Sequence, residues 1–326
     1  ESHAKQAVFE SGHDYNQAMR QSMYGWMTRH LKGEGDGSPI EEPPKEVEPA
    51  ETLRCFPGET RPEDYVTLPK FAADEASRLV KRPAPDHGER WEADELLMRP
   101  ALLKSLGPRP KNIPLNTKIE KNGDRQDVSF DSERGIRLNA TIFPAKGKSK
   151  GQVLLLDMER GRQAVDSEWA VELHKRQWDV VTVDLRATAG AAHPGDLIGN
   201  APDHNTAEWS MWIGRPLAGQ WVWDIKRLLD VLGERKEQPK SQPITAILGL
   251  KSAAPVALMA AALSGRIDRV GIHEGLSSYV TSVPYKGQRM GVMVPGILRD
   301  VGDIPHLAAL ASPRRLVISG AVESDG

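Results

Sequence analysis

The chain has 326 residues, 39% of them hydrophobic and 27% charged, with 43 basic side chains against 45 acidic ones. That composition describes a globular protein with a core, not a disordered or collagen-like chain, and the near balance of charge gives no reason to expect the basic footprint of a nucleic-acid binder. A single cysteine, Cys55, excludes an intrachain disulfide, and the longest apolar run, Pro255 to Leu263, falls well short of the roughly 20 residues that span a bilayer.

Residues 4–10 (AKQAVFE) read as a short strand, with Gly12 and His13 just beyond it. Residues 14–31 read as a helix, because Met19, Met23, Trp26, Met27 and Leu31 recur every three or four positions. Asp14 is its expected N-cap and Gly33 its stop. The segment from Gly33 to Pro49 (GEGDGSPIEEPPKEVEP) is a linker by its Gly, Pro and Glu content. Residues 51–112 carry many prolines and short helical stretches around 70–82 and 92–106. They read as an arm that packs on something larger. The division is therefore 1–32, 33–50, 51–112 and 113–326.

From Ile113 onward strand and helix patterns alternate. Residues 115–121 and 136–143 read as strands flanking a turn-rich stretch from Asn122 to Arg134. QVLLLDM from Gln152 to Met158 is a continuous apolar run of the kind a buried parallel strand shows. A helix is expected over 163–177, a strand over 179–184, a helix over 219–233 and a strand over 244–248. An Ala-rich helix from Ser252 to Leu263 and strands over 269–273 and 315–319 complete the series. Such alternation predicts an α/β fold with a doubly wound, mostly parallel sheet.

Four blocks carry a resemblance: LLLDMERGRQ, VTVDLRATAG, GRPLAGQWVWDIKRLLDVL and AILGLKSAAPVALMAAAL. They resemble the α/β-hydrolases related to acetyl xylan esterases and dienelactone hydrolases, whose versions read like DLRGxG, GRPLxGxxxxDxxRxLDxL and GxGxxGxxAxxAAxL. The stretch VPGILRDVGDIPHLAALASPRRLVISG is similar to the approach to that family's seventh strand. The opening ESGHDYNQAMRQSMYGWMTRHLKG resembles the family's end: its eighth strand, the catalytic histidine and the closing helix. That order implies either a circularly permuted chain, with a domain-swapped homodimer as a variant, or the tail of one hydrolase domain joined to most of the next.

The resemblance implies a nucleophile on a sharp strand-to-helix turn, with the signature Gly-x-Ser-x-Gly. Here the turn reads Gly249-Leu250-Lys251-Ser252-Ala253-Ala254, so the nucleophile position holds Lys251 and Ser252 comes one residue late. Ser252 is then either a nucleophile shifted by one position or the N-cap of the following helix. His13 is the candidate general base. Glu323 and Asp325 are the candidate acids that would orient it. Backbone N–H groups at Met158 and Ala253 would form the oxyanion hole. Asp184 and Arg186 in the DLR turn, and Arg215 in GRPL, read as bracing groups. His193, His204, His273 and His306 have no metal-ligand spacing, so neither metal nor cofactor is expected. GEGDGS at 33–38 lacks the Lys-Ser of a phosphate loop.

Two functions are compatible with these residues. One is acyl transfer to water from a carboxylic ester, an acetylated carbohydrate or another small ester. The other is a catalytically silent hydrolase-fold module that binds a ligand or supports a companion domain. A small-molecule ester, and no nucleic acid or membrane, is the expected partner of the first. No signal peptide is legible in the polar opening segment, which begins with Glu1, and location is left open.

Overall fold

A computed structural model describes residues 3–83, 88–234 and 244–323. The chain divides into two compact units, Glu1–Tyr65 and Val66–Gly326.

In the first unit a helix, α1 (Gln17–Met27), continues into one π-helical turn, Thr28–Lys32, and ends at Gly33 with φ +73°. Its N-cap is Asn16, whose side chain accepts from the Met19 N–H. Asp14 instead bonds the neighbouring Tyr15 N–H at 2.6 Å, so the cap falls two residues later than the sequence suggested. The expected strand over residues 4–10 does not form. An alternating segment becomes a strand only when a neighbour completes its hydrogen-bond ladder, and here Ala7, Val8 and Phe9 border a hollow with Met19 and Met23 of α1. The Gly-rich linker folds back along α1. Gly25 makes this possible, since a Cβ there would sit 1.7 Å from the Ser38 carbonyl oxygen. Glu42 then accepts from Arg20 at 2.7 and 2.8 Å and from the Tyr24 hydroxyl at 2.9 Å. These bonds, Arg20's above all, hold the Glu42 carboxyl below the usual carboxylate range.

The second unit opens with helices α2 (Leu68–Leu79) and α3 (Gly88–Ser105). Eight strands follow: β1 (Lys118–Asn122), β2 (Arg125–Glu133), β3 (Ile136–Phe143), β4 (Gly151–Leu156), β5 (Asp179–Val183), β6 (Ile244–Leu250), β7 (Arg269–His273) and β8 (Arg315–Ser319). The helices between them are α4 (Glu168–Lys175), α5 (His204–Trp212), α6 (Leu217–Glu234), α7 (Ala253–Leu263), α8 (Ile297–Asp300) and α9 (Ile304–Leu310). The sheet order is β1-β2-β3-β5-β4-β6-β7-β8. β1, β2, β3 and β5 pair antiparallel, and from β5 to β8 all pairings are parallel.

The stretch 122–134, expected to be turns, is largely β2. Glycines close the tight turns on either side, Gly123 at φ +62° and Gly135 at φ +80°. Between them Val128, Phe130 and Ser132 point inward while Asp127, Ser129 and Asp131 alternate outward. Two acidic residues on the outer face, Asp127 and Asp131, disguise the strand.

Helices cover both faces. Leu154 and Leu156 of β4 join a large cluster that includes α3, α6, α7 and α9, while Leu155 joins a smaller one with Ala164 and Ala170 on the opposite face. The arm expected to lack its own core contributes Met98 and Leu102 of α3, and Leu106 just after it, to the large cluster. α7 is buried along its length because it is apolar all round, with residues from Ala253 to Ala262 shielded.

Candidate functional site

β6 and α7 meet at a sharp turn at the carboxyl end of the parallel strands, where open α/β sheets place their ligands. Gly249 is required there: a Cβ would sit 2.8 Å from the Ala257 Cβ and 2.9 Å from the Ala253 carbonyl oxygen. Gly275 plays the same part on the neighbouring loop, 2.5 Å from the Ala254 Cβ. The apex is Lys251, at φ +51°, a left-handed conformation that costs a non-glycine residue roughly 1–2 kcal/mol. Its N–H donates to the His273 carbonyl and its carbonyl accepts from the Ala254 N–H, both at 2.9 Å. Its side chain is 67% exposed, and its amine forms an ion pair with Glu274 at 3.8 Å. Glu274 is itself at φ +52°, so both partners stand on constrained strand ends.

Ser252 follows in ordinary right-handed helical conformation as the N-cap residue of α7, without a side-chain capping bond. It is 3% exposed. Its hydroxyl accepts from the Arg289 N–H at 3.2 Å and faces the Gly287 carbonyl at 3.3 Å and the Gln288 Oε1 at 3.4 Å. No imidazole or carboxylate is among its partners in the described residues. The sequence alternative of Ser252 as helix cap is met in position but not in bonding: its hydroxyl fastens a loop.

A cavity of about 340 Å³ opens at this turn, bordered by Met158 and Glu159 after β4, Lys251 and Ser252, and the loop Gly287-Gln288-Arg289. Met158 is buried, and its N–H has no acceptor among the described residues, which leaves it able to donate to a ligand. The following N–H groups, of Glu159 and Arg160, are already taken by the Asp157 carboxylate at 2.9 and 3.1 Å. Arg289 crosses the mouth: it pairs with Glu159 at 2.9 Å and donates to the Met158 carbonyl at 3.2 Å.

Met158, Gly249, Lys251, Ser252 and Ala253 are therefore brought to one place. His13 lies in an exposed bend of the first unit and makes no hydrogen bond among the described residues. Glu323 is exposed just past a bridge between Leu276 and Val322, and Asp325 lies outside the described residues. Arg186 does not pair with Asp184. It binds Asp224 at 2.5 and 2.9 Å and Glu133 at 3.1 Å, while Asp184 takes the Arg162 N–H at 2.8 Å. Burial pushes the Asp184 carboxyl up. Arg215 binds Glu133 at 2.7 Å, the bracing role expected of it.

Next to the apex stand groups that the sequence did not connect with it. His273 Nδ1 is 3.0 Å from the Ser319 hydroxyl, its Nε2 is 3.5 Å from Glu274, and the Trp169 ring lies 4.9 Å away, centroid to centroid. The available signal was positional: a His-Glu pair at the carboxyl end of a parallel strand. Arg289 and Gln288 carried no signal at all, because only the folding of a long loop brings them back to the turn.

No protein-family model matches the chain, and no curated protein sequence matches it. Solved structures do. One is a provisionally named acetyl xylan esterase from Bacteroides fragilis, 12% identical, with a TM-score of 0.61 over 79% of this chain and 76% of that one. Another is a methylesterase, 16% identical, with a TM-score of 0.51 over 77% of this chain and 54% of its own. At such identities the likeness establishes the fold: an α/β protein whose mixed, mostly parallel eight-stranded sheet resembles that of the α/β-hydrolases. Among the described residues all eight strands of the sheet lie within residues 118–319, and no strand of residues 3–65 joins them. The permuted arrangement, in which residues 4–10 would supply the last strand, finds no support in this sheet.

Proposed function

We propose that the second unit is a hydrolase-fold module that has lost nucleophilic catalysis at its elbow and serves in binding or in support of a companion domain. The observation that carries this reading is the identity of the apex residue. The fold presents one side chain at the left-handed turn after β6, and here it is Lys251. An amine paired with a carboxylate at 3.8 Å stands where acyl transfer at this turn needs a hydroxyl. The adjacent hydroxyl is buried and occupied by a loop. A serine-directed fluorophosphonate probe is expected to leave the folded full chain unlabelled, with p-nitrophenyl acetate turned over no faster than by buffer. Stoichiometric labelling at Ser252 would overturn the reading.

A second reading rests on the cavity beside Met158. In it the unit hydrolyses a small carboxylic ester, such as an acetylated carbohydrate, of the kind the names of the structural neighbours describe for those proteins. Ser252 would attack, His13 would move the proton, Glu323 or Asp325 would orient the imidazole, and the N–H groups of Met158 and Ala253 would hold the oxyanion. A domain-swapped homodimer through residues 1–32 belongs with this reading. It requires turnover that disappears in both Ser252→Ala and His13→Ala; activity unchanged by either substitution removes it.

A further inference from the structure

Away from the elbow, an apolar hollow of about 250 Å³ lies between the end of α3, one side of α6 and the turn after α7. Leu106, Ile225 and Leu229 are buried along it, and the small residues Ala260 and Gly265 keep one wall low. Every charged side chain that lines it is cationic: Arg109, Lys226 and Arg266. Among the described residues the carboxylate partner of Lys226 and Arg266 is Asp230. Asp230 binds Lys226 at 2.7 Å, Arg266 at 2.8 Å and also Arg227 at 3.1 Å, so a single negative charge serves three positive ones. Arg109 is exposed and has no partner among the described residues. The arrangement is an apolar slot with uncompensated positive charge at its rim, and both features act on the same ligand.

We propose that this hollow binds a medium-chain amphipathic anion, an alkyl chain ending in a carboxylate. The chain lies against Leu106, Ile225 and Leu229, and the head group meets Arg109 and the Lys226–Arg266 rim. The apolar wall alone would accept a neutral or cationic chain equally well; the charge pattern selects the anion. The inference is independent of whether the elbow catalyses.

The test is titration calorimetry of the full chain with decanoate below its micelle concentration, alongside decyltrimethylammonium and phosphatidylglycerol vesicles. Decanoate is expected to bind one to one, with decyltrimethylammonium at least tenfold weaker and the vesicles not bound. Arg109→Glu, on an exposed loop where folding is not at stake, should weaken decanoate at least tenfold. Leu263→Trp, which fills the slot, should do the same with an unchanged circular dichroism spectrum. Equal binding of the cationic amphiphile, decanoate binding indifferent to both variants, or binding to vesicles alone would overturn the proposal.

Discussion

At the scale of single residues, the elbow sets a strained lysine beside a satisfied serine. Lys251 holds a backbone conformation that glycine adopts without penalty. Lys251→Gly should therefore raise stability by about 0.5–1 kcal/mol, after the greater unfolded-state freedom of glycine is deducted from the relieved strain. A shift of the urea midpoint to higher concentration at unchanged slope is the expected result, and a downward shift would mean that the Glu274 ion pair outweighs the strain. Ser252→Ala removes the acceptor of a buried N–H, that of Arg289. It should cost about 1–3 kcal/mol, the penalty for stranding a buried donor. A loss confined to a few tenths of a kcal/mol would show that the loop relaxes to let water in.

At the scale of elements, the GRPLAGQWVWD block explains its own distinctiveness. Asp224 on α6 is fully buried and receives both Arg186 and the Ser132 hydroxyl, while the Trp221 and Trp223 indoles donate to the Arg186 and Ser132 carbonyls. One helix turn thus pins the loop after β5 and the end of β2 together. Replacing Asp224 by Ala leaves the Arg186 guanidinium, 11% exposed, without its main partner. A loss of about 3–5 kcal/mol is expected, read from chemical unfolding. Asp224→Asn should lose less, because the amide oxygen still accepts.

The same scale shows what the sequence could and could not reveal. The apolar-rich β4 and the Ala-rich α7 were legible because burial along their whole length leaves few polar residues to confuse the pattern. β2 was hidden by its acidic outer face, and α5 by having almost no amphipathic stripe, with Trp209 and Trp212 exposed. The turn at Gly249–Ala254 was readable because backbone geometry there demands glycine and small residues. Its surroundings were not, since Arg289, His273 and Ser319 reach it through tertiary folding alone. The expected strand at 4–10 failed for the opposite reason: a local pattern was present and a pairing neighbour was not.

For the molecule as a whole, the main core of the second unit is made, among the described residues, by that unit's own side chains from Trp91 onward. A chain beginning at Val66 should fold with an unchanged thermal transition for the second unit. One beginning at Lys111, which discards Met98, Leu102 and Leu106, should lose cooperative unfolding. Acid sensitivity has a named contributor. Burial pushes the Glu133 carboxyl up, but hydrogen bonds from Arg215 and Arg186 outweigh it and leave it below its ordinary value. A depressed folded-state value stabilises above the unfolded-state value of about 4.3 and is lost as pH falls through the folded one. The stability gap between the native chain and Arg215→Ala should accordingly narrow from about pH 6 to about pH 3; a constant gap would assign Arg215 a role in packing only.

The two margins of the sheet are unequal. β1 reads KIEKN, fully exposed and guarded by charge at Lys118, Glu120 and Lys121, whereas β8 reads RLVIS and offers Val317 and Ile318 to solvent at 59% and 47% exposure. An unguarded margin of that kind invites stacking of one molecule on the next through backbone pairing. Concentrated samples should thus cloud well below the melting temperature, and a lysine in place of Val317 should keep them clear while leaving the melting temperature where it was.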